Sequence, residues 1–233
     1  MTMETGIAGQ IIQTKESLPD GVELLAVSKT HPIEYLREAY NAGQRLFGEN
    51  KVQEMVIKHW QMPEDVQWHF IGHVQRNKLH LMAPFVSVIQ GIDSYQTLAE
   101  ANRQAARFNR RITCLLELHI ATEESKSGFQ PDDCMRMLEA GEWRGLEHIE
   151  IGGVMGMASY TQNREQIFAE FQQLVSFFHT AKKLFFKDSP GFRTISAGMS
   201  NDYDIAIRAG ANLVRIGTGI FGARDYAKAE NKV

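Results

Sequence analysis

Eight short β-rich runs, separated by amphipathic stretches, constrain this 233-residue chain more than any other feature. The runs are "LLAVSKT" (24–30), "RLFGEN" (45–50), "WHFIG" (68–72), "VSVIQGID" (86–93), "ITCLLELHI" (112–120), "HIEIGGVMGM" (148–157), "RTISAG" (193–198) and "NLVRIGTGIFG" (212–222). Between them, "PIEYLREAYNAG", "SYQTLAEANRQAARFN" and "NREQIFAEFQQLVSFFHTAKKLF" repeat apolar residues at three- and four-residue spacing, the period of a helix with one buried face. Pro32 stands where a first helical turn tolerates proline, and Gly43 and Gly210 stand where helices stop. Strands that alternate with helices are connected by crossovers, so they run parallel and need covering. Eight such units predict an α/β fold: a single-domain (β/α)8 TIM barrel over residues 1–233 with an N-terminal helix. A doubly wound open sheet is the alternative.

Charge and targeting signals narrow the partners. The 25 basic and 28 acidic side chains leave a formal charge of -3, with no basic excess to neutralise a phosphate backbone, so no nucleic-acid partner is expected. The N-terminus has neither a basic nor an apolar segment of signal-peptide type, and no later run approaches the roughly 18 apolar residues of a membrane span. A cytoplasmic protein without a membrane partner is the expectation. The two cysteines, Cys114 and Cys134, suit a reducing compartment. His69 and His73 straddle a strand end and so share no helix face, which favours a structural role over a metal site.

In a (β/α)8 barrel, chemistry collects at the C-terminal ends of the strands. There the sequence places Lys29, Asn50, His73, Asp93, Met157, Ser200 and Gly217–Gly219. Asn50 and Asp93 taken singly are ordinary turn or N-cap residues. Lys29, directly after an apolar run, has three readings: a lysine that snorkels to water, a salt-bridged one, or an amine that forms a Schiff base with a carbonyl compound. "SAGMS" opens a helix near Asp202, and "GTG" supplies a second close backbone approach. Loops after the seventh and eighth strands are a recurrent phosphate site in this fold. Arg215, between Val214 and Ile216, points to one face of the eighth strand and needs an acceptor. That acceptor is a neighbouring carboxylate or the ring nitrogen of pyridoxal phosphate, for which an arginine is a known partner.

The motifs "AVSKT" (26–30), "FGENKVQE" (47–54), "WHFIGHVQRNK" (68–78), "IQGID" (89–93), "EESKSGF" (123–129), "ISAGMSNDY" (195–203) and "VRIGTGIFGAR" (214–224) together resemble the pyridoxal phosphate homeostasis proteins, which share the barrel of the alanine racemase N-terminal domain. The resemblance implies pyridoxal 5'-phosphate as cofactor, held as a Schiff base on Lys29. It also implies phosphate binding around Ser200, Gly217 and Thr218, Arg215 at the pyridine nitrogen, and Asn50 and Met157 lining the cofactor. Two positions differ from the family pattern: His119 stands where an asparagine is usual, and Lys51 where an aromatic is common.

The function expected from this set is a carrier in intracellular homeostasis of pyridoxal phosphate, without catalytic residues or turnover, that holds the cofactor and hands it to apo-enzymes. An amino-acid racemase is the alternative. Racemisation needs a proton acceptor on each face of a planar carbanion. Related racemases take the second one, a tyrosine, from a further C-terminal domain, and this chain ends shortly after the eighth strand, with only Tyr160 or Tyr203 as substitutes. For the same reason a monomer is expected. A Schiff-base aldolase acting on a phosphorylated sugar would use the same lysine and loops, but leaves Arg215 without a task. "EESK" reads as a solvated loop and "FFHTAKKLFF" (177–186) as the buried face and end of a long helix.

Overall fold

Each β-rich run forms one short parallel strand. A computed structural model describes residues 6–223. The strands are β1 (Glu23–Val27), β2 (Leu46–Glu49), β3 (Gln67–Phe70), β4 (Val88–Ile92), β5 (Ile112–Leu118), β6 (Ile149–Gly156), β7 (Thr194–Met199) and β8 (Leu213–Ile216). They close into a barrel in chain order, and β8 pairs back to β1. The open doubly wound sheet is thereby ruled out.

Helices α1 (Ile7–Ser17), α2 (Ile33–Asn41), α3 (Val52–His59), α4 (Leu79–Met82), α5 (Tyr95–Arg107), α6 (Pro131–Ala140), α7 (Arg164–Phe185) and α8 (Tyr203–Ala209) accompany the strands. Their ends follow local chemistry. Ser94 caps α5 by accepting from Thr97 N, and Asn163 caps α7 by accepting from Glu165 N and Gln166 N. Pro131 occupies the first position of α6, where a missing N–H costs nothing. Apolar faces of these helices meet outward-facing strand residues such as Phe47, Trp68 and Phe70 in one continuous core. "FFHTAKKLFF" contributes Phe177, Phe178 and Phe186 to that core, where Phe186 stacks on Phe192 with centroids 4.1 Å apart.

The first and eighth strands fall furthest short of their sequence runs. The first stops at Val27, so Lys29 lies in a turn. The eighth stops at Ile216, and Thr218–Phe221 form the short helix α9, with Ile220 N and Phe221 N both bonded to Gly217 O at 2.9 Å. The apolar "GIF" therefore buries Ile220 and Phe221 as helical rather than strand residues. Arg224 of the last motif lies outside the described residues. β6 carries one extra residue opposite β5, since Cys114 pairs with Ile151 and Leu115 with Gly153. Gly153 has φ +149°, and a Cβ there would lie 1.9 Å from Thr194 O, so this bulge requires glycine.

Candidate functional site

Parallel register brings the predicted residues to one mouth. Leu25 pairs with Arg215 and Ala26 with Ile216, so the turn holding Lys29 follows beside Gly217. A Cβ on Gly217 would sit 3.1 Å from Val27 O, which shows how closely the two chains pass. Val27 pairs with Gly48, and Asn50 follows two residues later. Met155 pairs with Glu117 across β5, and half-buried Met157 lies just beyond β6. Met199 pairs with Arg215, which puts Ser200 beside the start of α9.

The loop after β7 is held by Asp202, whose Oδ1 accepts from Met199 N at 2.6 Å. Ser200 Oγ then accepts from Gly219 N at 3.5 Å. Gly217 caps α9, Thr218 is its first residue, and first-turn N–H groups have no intrahelical acceptor. Two loops therefore present hydroxyls and backbone donors together. An anion suits that arrangement.

Arg215 is buried and donates to Ser196 O (2.8 Å), Ser196 Oγ (2.8 Å) and Gly156 O (2.9 Å). None of these is a carboxylate, so the plain expectation of a directly paired carboxylate is not what the strand provides. Burial pushes its pKa down to about 10, opposed by the charges of Asp202 and Glu117, and the guanidinium stays protonated at neutral pH. Glu117 lines the interior from β5. Burial raises its pKa, against the hydrogen bond it accepts from Ser127 Oγ at 2.9 Å.

Beneath Lys29 lies a cluster that sequence reading missed. Lys58 Nζ spends its three N–H groups on Ser28 O, Glu49 Oε1 and Glu54 Oε1, each at 2.7 Å. Ser28 Oγ also donates to Glu49 Oε1 at 2.7 Å, and Thr30 N donates to Glu54 Oε1 at 2.6 Å. Thr30 has φ +68°, a rare value for a β-branched residue. The cluster thus grips the turn on both sides of Lys29 and holds a strained residue next to it. One signal was present in the sequence: Glu54 and Lys58 are four apart on α3, in the favourable order.

The remaining rim residues are held by local contacts. His73 Nδ1 lies 3.3 Å from Asp93 Oδ2, and Asp93 Oδ1 accepts from Thr97 Oγ1 at the start of α5. His69 points into the barrel instead, away from His73, and contacts Gln90. Among the described residues no group of three or more His, Cys, Asp or Glu is arranged to hold a metal ion. His119 closes its loop through Nε2 to Glu123 O at 2.9 Å. The "EESK" loop is a clip: Glu123 Oε1 accepts from Tyr160 N, and Lys126 Nζ donates to Ala158 O. Hydrogen bonding from the Tyr160 and Glu123 backbone N–H groups holds the Glu123 carboxyl down at about 2. Lys51 is exposed at the start of α3.

Among the described residues, four polar atoms at these strand ends are buried without a hydrogen-bond partner: Thr30 Oγ1, Glu49 Oε2, Asn50 Oδ1 and Glu117 Oε2. Such groups cost free energy unless a ligand satisfies them. Together with the backbone donors of the loops after β7 and β8, they suit a polar ligand that carries an anionic group.

Comparison with known proteins gives a consistent picture. The family model described as alanine racemase, N-terminal domain, matches residues 7–225. The pyridoxal phosphate homeostasis protein of Pasteurella multocida (strain Pm70) is 35% identical over 237 residues, covering 98% of this chain and 100% of that protein. The Escherichia coli (strain K12) protein of the same name is 37% identical, covering 90% of this chain and 89% of that protein. Among solved structures, PipY of Synechococcus elongatus PCC7942 with PLP bound superimposes with a TM-score of 0.82 at 32% identity, over 93% of this chain and all of that one. Alanine racemase of Clostridium difficile 630, with a TM-score of 0.71 at 13% identity, covers 96% of this chain and 58% of its own, and shares the fold.

Proposed function

The chain belongs to the pyridoxal phosphate homeostasis proteins, a family built on the alanine racemase N-terminal domain, and from that premise we propose that it binds pyridoxal 5'-phosphate in the barrel mouth and buffers it without catalytic turnover. One observation carries the reading: Arg215 is buried with no carboxylate among its acceptors, between the Lys29 turn and the Ser200 and Gly217–Thr218 loops. When bound, the cofactor supplies an aldehyde that condenses reversibly with a primary amine.

In this reading Lys29 provides that amine. Ser200, Gly217 and Thr218 bind the phosphate, the first and last through hydroxyls and the middle one by letting the backbone come close. Asn50 and Met157 line the ring, one with its unpaired amide oxygen and one with an apolar side chain. Arg215 donates toward the ring nitrogen and cannot give up its proton at neutral pH. An arginine there would leave the nitrogen of a bound ring unprotonated, which would weaken its electron withdrawal and disfavour carbanion chemistry. Racemisation also needs a second acid or base opposite Lys29. Tyr160 is 92% exposed, and Tyr203, half-buried at the start of α8, packs against the hydrophobic core.

A carrier of this kind releases its cofactor to amines, and apo-enzymes that use the same cofactor are the partners we propose for a cytoplasmic monomer. Buried thiols at Cys114 and Cys134 are compatible with that compartment. No helix among the described residues is long and apolar enough to cross a membrane.

The decisive experiment is the absorption spectrum of the purified protein with added pyridoxal phosphate, before and after borohydride reduction, followed by peptide mapping. An adduct on Lys29 supports the reading. A protein that stays colourless with the cofactor present would sink it. The double substitution Ser200→Ala with Thr218→Val is expected to weaken retention by about 10²- to 10⁴-fold, since hydrogen bonds to a charged group contribute about 1.5–3 kcal/mol each and two are removed. Equilibrium dialysis measures that loss; an unchanged dissociation constant would remove the phosphate from these loops.

A further inference from the structure

Four buried polar side chains join in line through the barrel interior. Arg215 Nη1 donates to Ser196 Oγ at 2.8 Å, Ser196 Oγ donates to Gln90 Oε1 at 2.6 Å, and Gln90 Nε2 contacts His69 Nδ1 at 2.9 Å. The chain crosses β8, β7, β4 and β3, and Ser196 and Gln90 are 0% exposed. Its direction follows from donor chemistry. A guanidinium only donates, so Ser196 Oγ must accept from it and spend its single proton on Gln90 Oε1. The Gln90 amide then faces His69 with its NH2, which requires a lone pair on Nδ1. Burial supplies that condition by lowering the His69 pKa to about 3, so the ring is neutral with its proton on Nε2.

A polar string in the centre of a barrel is costly compared with apolar packing unless every member is satisfied. This one is satisfied in one orientation only. Three of the five Arg215 N–H groups are spent on Ser196 O, Ser196 Oγ and Gly156 O, and among the described residues the other two remain for a ligand at the mouth. The rotation of the guanidinium plane is therefore set from below, by the residues it donates to.

We propose that Ser196, Gln90 and His69 are positioning residues for Arg215: their one-way hydrogen-bond chain sets the guanidinium orientation and with it the donation to the cofactor ring nitrogen. The proposal rests on the pyridoxal phosphate reading and assigns the second tier of that site. Gln90 and His69 are joined to Arg215 by hydrogen bonds that run through Ser196, so their effect on the ring nitrogen is transmitted, not direct.

The test uses the full chain loaded with pyridoxal phosphate labelled with 15N in the ring, and follows the ring-nitrogen resonance as pH is varied through neutrality. In the wild type the signal is expected to be that of an unprotonated, hydrogen-bonded pyridine that does not titrate. Ser196→Ala and Gln90→Met are each expected to move it toward the free cofactor and make it titrate, with the dissociation constant raised about three- to tenfold, the equivalent of one lost hydrogen bond. Ser196→Thr, which restores the hydroxyl, is expected to return the wild-type signal. If both variants lower the melting temperature yet keep the wild-type resonance and its flat pH profile, the chain is core structure only and the proposal is overturned. A changed signal in Ser196→Ala beside an unchanged one in folded Gln90→Met overturns it too. Should Gln90→Met fail to fold, Gln90→Asn, whose shorter side chain withdraws the amide from Ser196 Oγ, takes its place in the same comparison. A free-cofactor signal in the wild type would instead refute the binding reading.

Discussion

Lys29→Ala is expected to abolish the borohydride-reducible adduct and its absorption band while leaving measurable, weaker binding of pyridoxal phosphate. The covalent link needs a primary amine in the turn after β1, and alanine offers none. Noncovalent retention persists because Ser200, Gly217 and Thr218 are carried by β7 and α9, elements that the substitution does not touch. Affinity should fall by at least about tenfold, each such factor being 1.4 kcal/mol of lost interaction. Spectroscopic titration paired with mass spectrometry of the reduced, digested protein checks both halves. A variant that still traps the aldehyde at this site with the wild-type spectrum would show that another amine holds it.

Lys58→Met should destabilise the fold by about 3–5 kcal/mol, because it leaves the Glu49 carboxylate buried without its cation. For a chain of this size that corresponds to a melting temperature lower by about 6–20 °C. The deficit depends on pH with a definite sign. Burial raises the Glu49 pKa in the native state, and Lys58 is the main opposing influence. Without the lysine the native pKa rises further above the unfolded one, so the folded variant binds more protons than the unfolded chain at intermediate pH. Its stability is then fullest below the unfolded pKa and is lost as pH rises through the folded one. Thermal melts should accordingly show the gap from wild type widening from acid to neutral pH. Lys58→Met combined with Glu49→Met should recover most of the loss, since a buried ion pair replaced by apolar groups of similar volume is often neutral. If the single variant melts like the wild type at neutral pH, the cluster does not hold the Lys29 turn.

The motif residues and the structural cluster differ in how they can be seen. Lys29, Ser200, Arg215, Gly217 and Thr218 lie in β-rich runs or just after them, and period and position send them toward one end of a parallel barrel. Glu117 carries no such mark, and for the Glu49–Lys58 cluster the one signal is the four-residue spacing of Glu54 and Lys58 on α3. Glu49 lies inside a strand and Lys58 at the end of an amphipathic helix, where a lysine usually meets water. Burial of Glu49 and Lys58 depends on α3 folding back over the end of β2, a tertiary event that neither segment encodes by itself.

The last strand shows the same limit at the level of secondary structure. "NLVRIGTGIFG" alternates and is apolar enough for a long strand, yet the barrel ends it at Ile216 and winds Thr218–Phe221 into a helix. Local pattern determined the architecture here: the number of strands, their parallel sense and the end of the barrel that bears the site. Those follow from periodicities of two and 3.6 residues, which neighbouring residues already contain. Tertiary structure alone decided which polar groups became buried and whom they met, from the Lys58 cluster to the line that joins Arg215 with His69. A hydrogen bond between residues 106 positions apart, as between Ser196 and Gln90, exists only once the closed sheet has brought their strands face to face.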